Sequence, residues 1–441
     1  MAKDHLMAVI AHKVKKMILL KHLKYKPYLH FDERIKPSKV LGYIKNHQNV
    51  ASHAFYPFLH YIIKTKKYIN KKSKKYDGIH DTEIKDRHIF YSSHIDRYIY
   101  EEYAYNLNLI YQNKIKDSKL NNSVIAYRTD LNKSNINFAF ETFNKIKGKL
   151  PCFVMCADFT GFFDNLKHKK LKEMLKKILG VKELNADYYN LFKSITKYSY
   201  VDRENIFEAF NITKKNIKEF VRICSPEKFR EIVKPKIIKN SNDFGIPQGS
   251  PISSVLSNIY MFDFDNQLNY ELQKYNSIFR RYCDDIILIT PEVYAREVAI
   301  LFNKLVENYT GLTINANKTE YYYFDESSQL DEEKSSRKTL DYLGFSFNGK
   351  EIKIREKTIF KYYIKLHQRI NIVKNASKIR KRKSFRRRLY DNYTHLGVKK
   401  GKGNFISYAY RSSKIMNSKS IRRQVRNHWK IIHQELNKTY F

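Results

Sequence analysis

The segment FRRYCDDIILIT places two adjacent carboxylates, Asp284 and Asp285, between two apolar runs of β type. Carboxylates set side by side repel each other, and neither can be buried without a partner. A divalent cation gives a chain a reason to keep them together. The pattern predicts a β-hairpin in which Ile278 to Tyr282 runs up, the acidic pair sits at the turn, and Ile286 to Ile289 runs back. Successive side chains of a strand point to opposite faces, so at most one of the two aspartates faces a metal squarely. Two-metal nucleotidyl transfer uses this arrangement, but only if a third carboxylate arrives from elsewhere. Without one, the tetrapeptide reads equally well as an acidic turn.

A third carboxylate is available in ADFTGFFDNLKH, 126 residues upstream of Asp284. The apolar run Cys152 to Ala157 predicts a strand that delivers Asp158 at its end, and Gly161 permits a tight turn behind it. Asp158 and Asp284 together would hold two divalent cations about 3.5–4 Å apart. One cation would activate an attacking 3′-hydroxyl, and the other would neutralise a triphosphate and its pyrophosphate leaving group. The backbone carbonyl of Phe159 would add an oxygen ligand, and hard oxygen donors select Mg²⁺. Asp285 reads as a residue that tunes the site, and Asp164 as a turn or helix-start residue.

At 441 residues the chain is long enough to bury a sizeable core in two or three domains. Its formal charge is +40, and 35 Tyr and 28 Phe are interleaved with the basic residues. That mixture suits phosphate neutralisation by Lys and Arg and stacking by rings, so a nucleic acid is the expected partner. Such an excess of one sign repels itself unless counterions or a polyanion relieve it. The four cysteines form no CxxC pair, which argues against a zinc site or a disulfide framework, and Cys152 and Cys156 read as small core residues. No apolar run approaches the roughly 18 residues of a membrane span. The N-terminal MAKDHLMAVIAHKVKKMILLKH reads as a basic amphipathic helix rather than a signal peptide, so a cytoplasmic protein is expected.

These residues need elements to position them. Residues 1 to 120 read as mostly helical, and a helix starting near 135 has Ser134 or Asn135 as its cap. The Lys-rich stretch 167 to 179 predicts an amphipathic helix. Residues 180 to 240 read as irregular or helical, and Gly245 to Asp265 as a strand leading into a helix. After the acidic hairpin a helix is expected at about 292 to 309 and a strand near 312 to 316. Asn348-Gly349 marks a two-residue hairpin turn before Ile352 and Ile354. From about 356 the chain reads as helical and very basic. In the run KIRKRKSFRRR at 378 to 388, Lys and Arg fill eight of eleven positions.

Asp158-Phe-Thr-Gly-Phe-Phe-Asp-Asn, Gly245-Ile-Pro-Gln-Gly-Ser-Pro and Tyr282-Cys-Asp-Asp resemble, in the right order, polymerase motifs A, B and C of reverse transcriptases. Gly311-Leu-Thr-Ile-Asn-Ala-Asn-Lys318-Thr-Glu resembles motif D, and Leu343-Gly344-Phe345 resembles motif E, the primer grip. The resemblance implies an α+β right-hand polymerase, with fingers, a palm of antiparallel sheet flanked by helices, and a helical basic thumb. The corresponding divisions are a helical extension at 1–80, fingers at 81–150, a palm at 151–350 with a fingers insertion around 180–243, and a thumb or C-terminal nucleic-acid-binding region at 351–441.

The same resemblance assigns roles. Asp158, Asp284 and Asp285 become catalytic carboxylates and metal ligands, with the Phe159 carbonyl as a further ligand and Lys318 as proton donor to pyrophosphate. Phe163 stands at the steric-gate position, where a ring collides with a ribose 2′-hydroxyl. Gln248 and Gly249 line the nucleotide pocket, and Lys85 and Arg87 resemble the basic pair that contacts the incoming triphosphate. Arg128, Lys133 and Ser134 belong to the following fingers motif. Tyr282, Leu343 and Gly344, with Arg380, Lys381, Arg382, Arg386 and Arg387, complete the set implied to contact template and primer. A basic loop of the fingers serves triphosphate or template backbone equally well, so that division stays open.

The phrases RHIFYSSHIDRYIY, AYRTDLNKSNINFAFETF and GKGNFISYAYRS resemble bacterial defence-associated and unknown-group reverse transcriptases, related to retron and group II intron enzymes. No RNase H or HNH pattern accompanies them. The implied activity is RNA-directed DNA polymerisation, templated by a dedicated structured non-coding RNA during antiphage defence. Its implied cofactor is a pair of Mg²⁺ ions, with Mn²⁺ as a substitute. Expected partners are the RNA template, the cDNA product, dNTPs, and either a second copy or an accessory defence protein; no membrane is expected. Two rivals are an RNA-dependent RNA polymerase, which Phe163 disfavours, and an RNA-binding maturase-like or assembly factor with a vestigial palm. The intact Asp158, Asp284, Asp285 and Lys318 speak against the second.

Overall fold

A computed structural model of the chain describes residues 22–68, 82–380, 385–400 and 403–437. The amphipathic segment before His22 and the predicted contacts Lys381 and Arg382 lie outside the described residues. The chain forms two compact units, each assembled from three separate segments. The first takes Met1–Asn121, Phe159–Gln267 and Leu305–Thr313, and the second Asn122–Asp158, Leu268–Lys304 and Ile314–Phe441. The α+β class expected from the sequence is the class the chain adopts, with mainly antiparallel sheets among many helices.

In the first unit, β1 (Phe58–Tyr68) and β2 (Thr82–Tyr91) form a long antiparallel hairpin running from Leu59↔Tyr91 to Tyr68↔Thr82. β4 (Ser199–Asp202) lies parallel to β1, and β5 (Ile238–Lys239) pairs antiparallel with β4. This hairpin departs from the helical reading of residues 1 to 120. Mixed Ile and Lys fit either period locally, and pairing of the two strands decides between them. Beyond the hairpin, the helix His94–Lys116 is capped by the Ser93 hydroxyl, which accepts from Asp96 N–H, and it buries Tyr98, Tyr103, Leu107, Tyr111 and Ile115. Leu29, Phe31, Leu59, Val201, Ile206 and Val233 close a core under the sheet.

In the second unit, β3 (Cys152–Ala157), β6 (Ile278–Tyr282), β7 (Asp285–Pro291) and β8 (Glu320–Phe324) form an antiparallel sheet in the order β6-β7-β3-β8. β3 and β7 occupy its centre and are covered on both faces, so they read as continuous apolar runs rather than alternating ones. A second sheet pairs β9 (Leu340–Tyr342), β10 (Phe345–Phe347) and β11 (Ile352–Ile354). The helix Asn135–Lys147 turns Ile136, Ala139, Phe143 and Ile146 to one side, and Glu356–Ile379 does the same with Tyr362, Leu366, Ile370 and Val373. These two stripes close one core with both sheets.

Three local expectations shift. The strand expected near 312 to 316 forms at Glu320–Phe324 instead. Gly245 to Asp265 contains helices from Ser253 onward but no strand before them. The Asn348-Gly349 turn is a four-residue connection, residues 348 to 351, in which the Asn348 side chain accepts from the N–H groups of Lys350 and Glu351. Gly349 is required there: its φ is +94°, and a Cβ would meet the Ser328 carbonyl oxygen at 1.7 Å. Among the described residues, no helix is long and apolar enough to cross a membrane.

A buried histidine gives the first unit a pH dependence. His30 is inaccessible; its Nδ1 accepts from Phe31 N–H at 2.9 Å, and its Nε2 faces the Tyr91 carbonyl at 3.3 Å. Burial lowers its pKa from 6.5 to about 3. The unfolded chain therefore binds this proton more readily, and stability falls as the pH drops through 6.5, levelling near 3. The slope from this ring is about 1.4 kcal/mol per pH unit. Urea unfolding between pH 7 and pH 4 should show a shallower decline for His30→Gln than for the natural protein.

Candidate active site

The acidic turn forms where its flanking strands run out of partners. β6 and β7 pair up to Tyr282↔Asp285, which leaves Cys283 and Asp284 as the two turn residues. The preferred two-residue hairpins need a positive φ at their first position, and Cys283 has φ +62°. On the other side of β7, β3 sets Ala157 opposite Ile286, so the next residue, Asp158, emerges beside the turn. Asn315 N–H donates to the Asp158 carbonyl at 2.8 Å. The 3₁₀ turn Ala316–Lys318 then lays the Lys318 ammonium on the Asp158 carboxylate.

This arrangement gathers Asp158, Asp284, Asp285 and Lys318 within the second unit, and their charges act on one another. The Asp158 and Asp284 carboxyls share a hydrogen bond, and burial followed by the Asp158 charge holds Asp284 above the usual carboxylate range. Asp285 is pushed up to about 7, first by the protein packed around it and then by Asp284 and Asp158; Arg355 and Lys318 pull it back. Its side chain nevertheless keeps access to solvent. Among the described residues, no three His, Cys, Asp or Glu side chains converge as a metal-holding group. Asp158 and Asp284 do converge, with the Lys318 ammonium as their countercharge. Two convergent carboxylates are hard oxygen donors, so the donor set fits a divalent cation of the Mg²⁺ type.

The residues expected at the nucleotide lie in the first unit. Phe163 is half-buried, edge-on to Phe162 at 5.4 Å, and its carbonyl accepts from Ile246 N–H at 2.9 Å. The Gln248 carbonyl accepts from Phe90 N–H at 2.9 Å, which docks the Gly245 to Pro251 loop on the end of β2. Gly249, at φ +118°, passes so close that a Cβ would meet the Phe90 carbonyl oxygen at 2.5 Å. Lys85 and Arg87 are exposed on β2, five and three residues before that junction. Phe163, Gln248, Gly249 and the β2 strand are thus tied together by backbone hydrogen bonds. The Phe159 ring is buried against Phe162.

The remaining predicted contacts fall in the second unit and vary in character. Arg128 is buried, its guanidinium forked onto the Asp130 carboxylate at 2.8 and 2.5 Å and onto the Val124 carbonyl at 3.2 Å. A side chain so engaged braces its own loop. Lys133 pairs with Glu141 at 2.5 Å, and Ser134 builds a capping box with Asn137. Asn135, beside them, donates to the Leu343 carbonyl at 3.1 Å and so ties this loop to the Leu343-Gly344 turn. Both turn residues have positive φ, +47° and +94°. The Tyr282 ring lies 6.4 Å from that of Phe138. Arg380 covers the Phe385 ring at 4.7 Å, Arg386 is half-buried, and Arg387 lies 4.0 Å from Asp391.

Sequence reasoning missed the residues beneath the turn. Arg280 and Arg281 point to opposite faces of β6, and both are buried. Arg280 donates to Glu141, the Phe138 carbonyl and Thr142 at 2.7–3.0 Å. Arg281 is wholly inaccessible and donates to the Cys283 carbonyl at 3.0 Å, while its main chain pairs with Ser123 and Ile125. The Cys283 thiol is buried between the Tyr127 hydroxyl and the Asp284 carboxyl; burial and then the Asp284 charge push its pKa up to about 12, and the Tyr127 hydroxyl pulls it back. A small, weakly polar side chain at a positive-φ position between two polar groups accounts for Cys283 in the tetrapeptide. The available signal was two arginines inside an otherwise apolar strand, since charge in such a place must have buried partners.

The sequence matches the family described as reverse transcriptase (RNA-dependent DNA polymerase) over residues 104–347. More than half of the chain lies within that match, and the chain belongs to this family. No curated protein matches it. Similar solved structures include apo telomerase from Candida tropicalis, at 13% identity and TM-score 0.42, with 87% of this chain and 60% of that chain covered. Telomerase from Candida albicans in complex with a fragment of telomeric RNA is similar at 14% identity and TM-score 0.37, covering 91% and 65%. The chain thus spans less than two thirds of the length of those relatives.

Removing the Arg281 donor tests the brace. Arg281→Met should leave the Cys283 carbonyl without this donor, at a cost of about 1–3 kcal/mol in stability. It should also lower kcat for single-nucleotide addition while leaving KM for the nucleotide within about threefold. Arg281→Lys should restore part of kcat. Equal loss in kcat and KM for both variants would mark the arginine as structural only.

Proposed function

We propose that the protein is an RNA-directed DNA polymerase that joins deoxynucleotides to a primer by two-metal nucleotidyl transfer. In this reading it copies a dedicated non-coding RNA in bacterial antiphage defence. The observation that carries the polymerase reading is the convergence of Asp158 and Asp284, from strands distant in sequence, with Asp285 within reach of their charge and the Lys318 ammonium on Asp158. Binding alone has no use for three mutually repelling carboxylates. Asp158 and Asp284 would hold the divalent cations, Asp285 would adjust their charge, and the ions would supply charge neutralisation at the reacting phosphate. Lys318 is the group that would give a proton to the departing pyrophosphate. Phe163 would stand where a 2′-hydroxyl must pass, and Gln248 and Gly249 would lie along the nucleotide.

The wider assignments follow the same reading. Residues 81–150 would serve as fingers, 151–350 as palm with the 180–243 insertion, and 351–441 as a basic thumb, with the charge of +40 drawing in RNA and the growing cDNA. The likeness of RHIFYSSHIDRYIY and its companion phrases to defence-associated enzymes supports the bacterial and antiphage part.

Purified protein with primed RNA template and Mg²⁺ should extend with dNTPs, and the double change Asp284→Ala with Asp285→Ala should abolish extension. Extension with ribonucleotides alone would instead make it an RNA polymerase, and RNA binding without synthesis an assembly factor. Phe163→Ala should retain synthesis while admitting ribonucleotides; unchanged discrimination in that variant removes the gate role. Sequencing the nucleic acid that co-purifies from the host identifies the template.

A further inference from the structure

The first unit carries a concave site whose lining includes no residue of motifs A and B. Its walls come from the N-terminal stretch 26–34, from β1 and β2, and from the segment after β4, and its volume is about 590 Å³. That lies within the roughly 300–1,000 Å³ usual for ligand sites. Four rings, Tyr28, Tyr61, Tyr91 and Phe207, and four cations, Lys26, Arg34, Arg203 and Lys218, line it. No Asp or Glu is among the described residues of its lining.

The walls are held in place rather than draped. The Tyr28 hydroxyl donates to the Ser92 carbonyl at 2.9 Å, His30 reaches the Tyr91 carbonyl, and Ile223 N–H donates to the His30 carbonyl at 2.8 Å. Leu29 and Phe31 are buried on either side of His30 and pin the N-terminal stretch to the core. Tyr91 stands edge-on to both Tyr28 and Tyr61, at 5.4 and 5.9 Å. The Arg203 guanidinium lies over the Tyr61 ring at 4.2 Å, with Phe207 at 5.9 Å and the exposed Glu204 at 3.7 Å. Lys26 and Lys218 are exposed at the rim.

Rings fixed at several angles beside cations, in a cleft without acidic lining, match one ligand chemistry. It is a flat nucleobase with a phosphate next to it, which stacks on aromatic or guanidinium planes while the phosphate meets Lys and Arg. We propose that this cleft holds a single-stranded segment of RNA, with bases against the tyrosine and Arg203 planes and the backbone along Lys26, Arg34 and Lys218. The identification of the strand as RNA rests on the polymerase reading; the stacked-base chemistry does not. This gives a task to the N-terminal stretch, which precedes the family match, and to the segment following β4. The cleft would grip template RNA apart from the base pair being copied.

The test is binding by the full-length protein, without nucleotides or metal, so that a failure of the polymerase reading would leave it readable. Affinity for a fluorescent 12-nucleotide RNA is measured from 50 to 300 mM salt for the natural protein and for Lys26→Gln/Lys218→Gln. The double variant should bind about tenfold more weakly at 0.1 M salt, and the slope of log K against log salt should fall by about 1.4. Tyr61→Leu should weaken binding without changing that slope, because stacking releases no counterions. Thiouridine-substituted RNA should crosslink to peptides containing Tyr28, Tyr61 or Tyr91. Melting curves establish that each variant is folded. An unchanged slope in the double variant, or crosslinks that all fall outside these peptides, overturns the proposal. So does a loss confined to free dNTPs or duplex RNA, which would assign the cleft to a mononucleotide or to a duplex.

Discussion

Repulsion among three carboxylates is the constraint around which the second unit is organised. Asp158 meets Asp284, with Asp285 close enough to feel both charges, because β3 and β7 are central neighbours in one sheet, and that position demands apolar side chains on both faces of both strands. The sheet therefore resists the charge it carries at its end. Two forms of relief are built in. Lys318 is delivered to Asp158 by a short turn, and Asp285 keeps access to water while its charge is disfavoured. A divalent cation held by Asp158 and Asp284 would offset the same repulsion.

The turn that carries two of these carboxylates is strained in its own right. A non-glycine residue at φ +62° persists only where its surroundings fix it. Arg281 holds the Cys283 carbonyl from below, and the Tyr127 hydroxyl holds its thiol from the side. Tyr127 itself has φ +60°. Buried charge, local strain and backbone pairing are spent together on fixing one carboxylate-bearing turn. This is the kind of preorganisation that phosphoryl chemistry asks of a protein, since positioning and electrostatics supply most of its rate.

Legibility in the sequence differed sharply between residues. The acidic hairpin, the strand ending at Asp158 and the Ser134 cap all depend on neighbours within a few positions, so the local pattern was sufficient. The β1–β2 hairpin was misread as helix because its stability comes from a partner strand some twenty residues away and not from its own periodicity. Arg128 looked like a free basic contact, yet it is buried on Asp130, two residues further on. Whether a guanidinium turns inward to a carboxylate or outward to a ligand depends on burial, and the sequence carries no direct record of burial.

The sequence by itself determined the family, through the match of residues 104–347 to the reverse transcriptases, and the order in which Asp158, Phe163, Asp284, Asp285 and Lys318 follow one another. Residue type and spacing suffice for this, because motif order is written along the chain itself. Only the tertiary structure decided how those residues are held. The pairing of the Arg281 main chain with Ser123 and Ile125, Asn135 on Leu343, and the rings and cations of the cleft around Tyr61 are contacts between segments far apart in the chain. Each depends on long-range pairing that local periodicity does not encode.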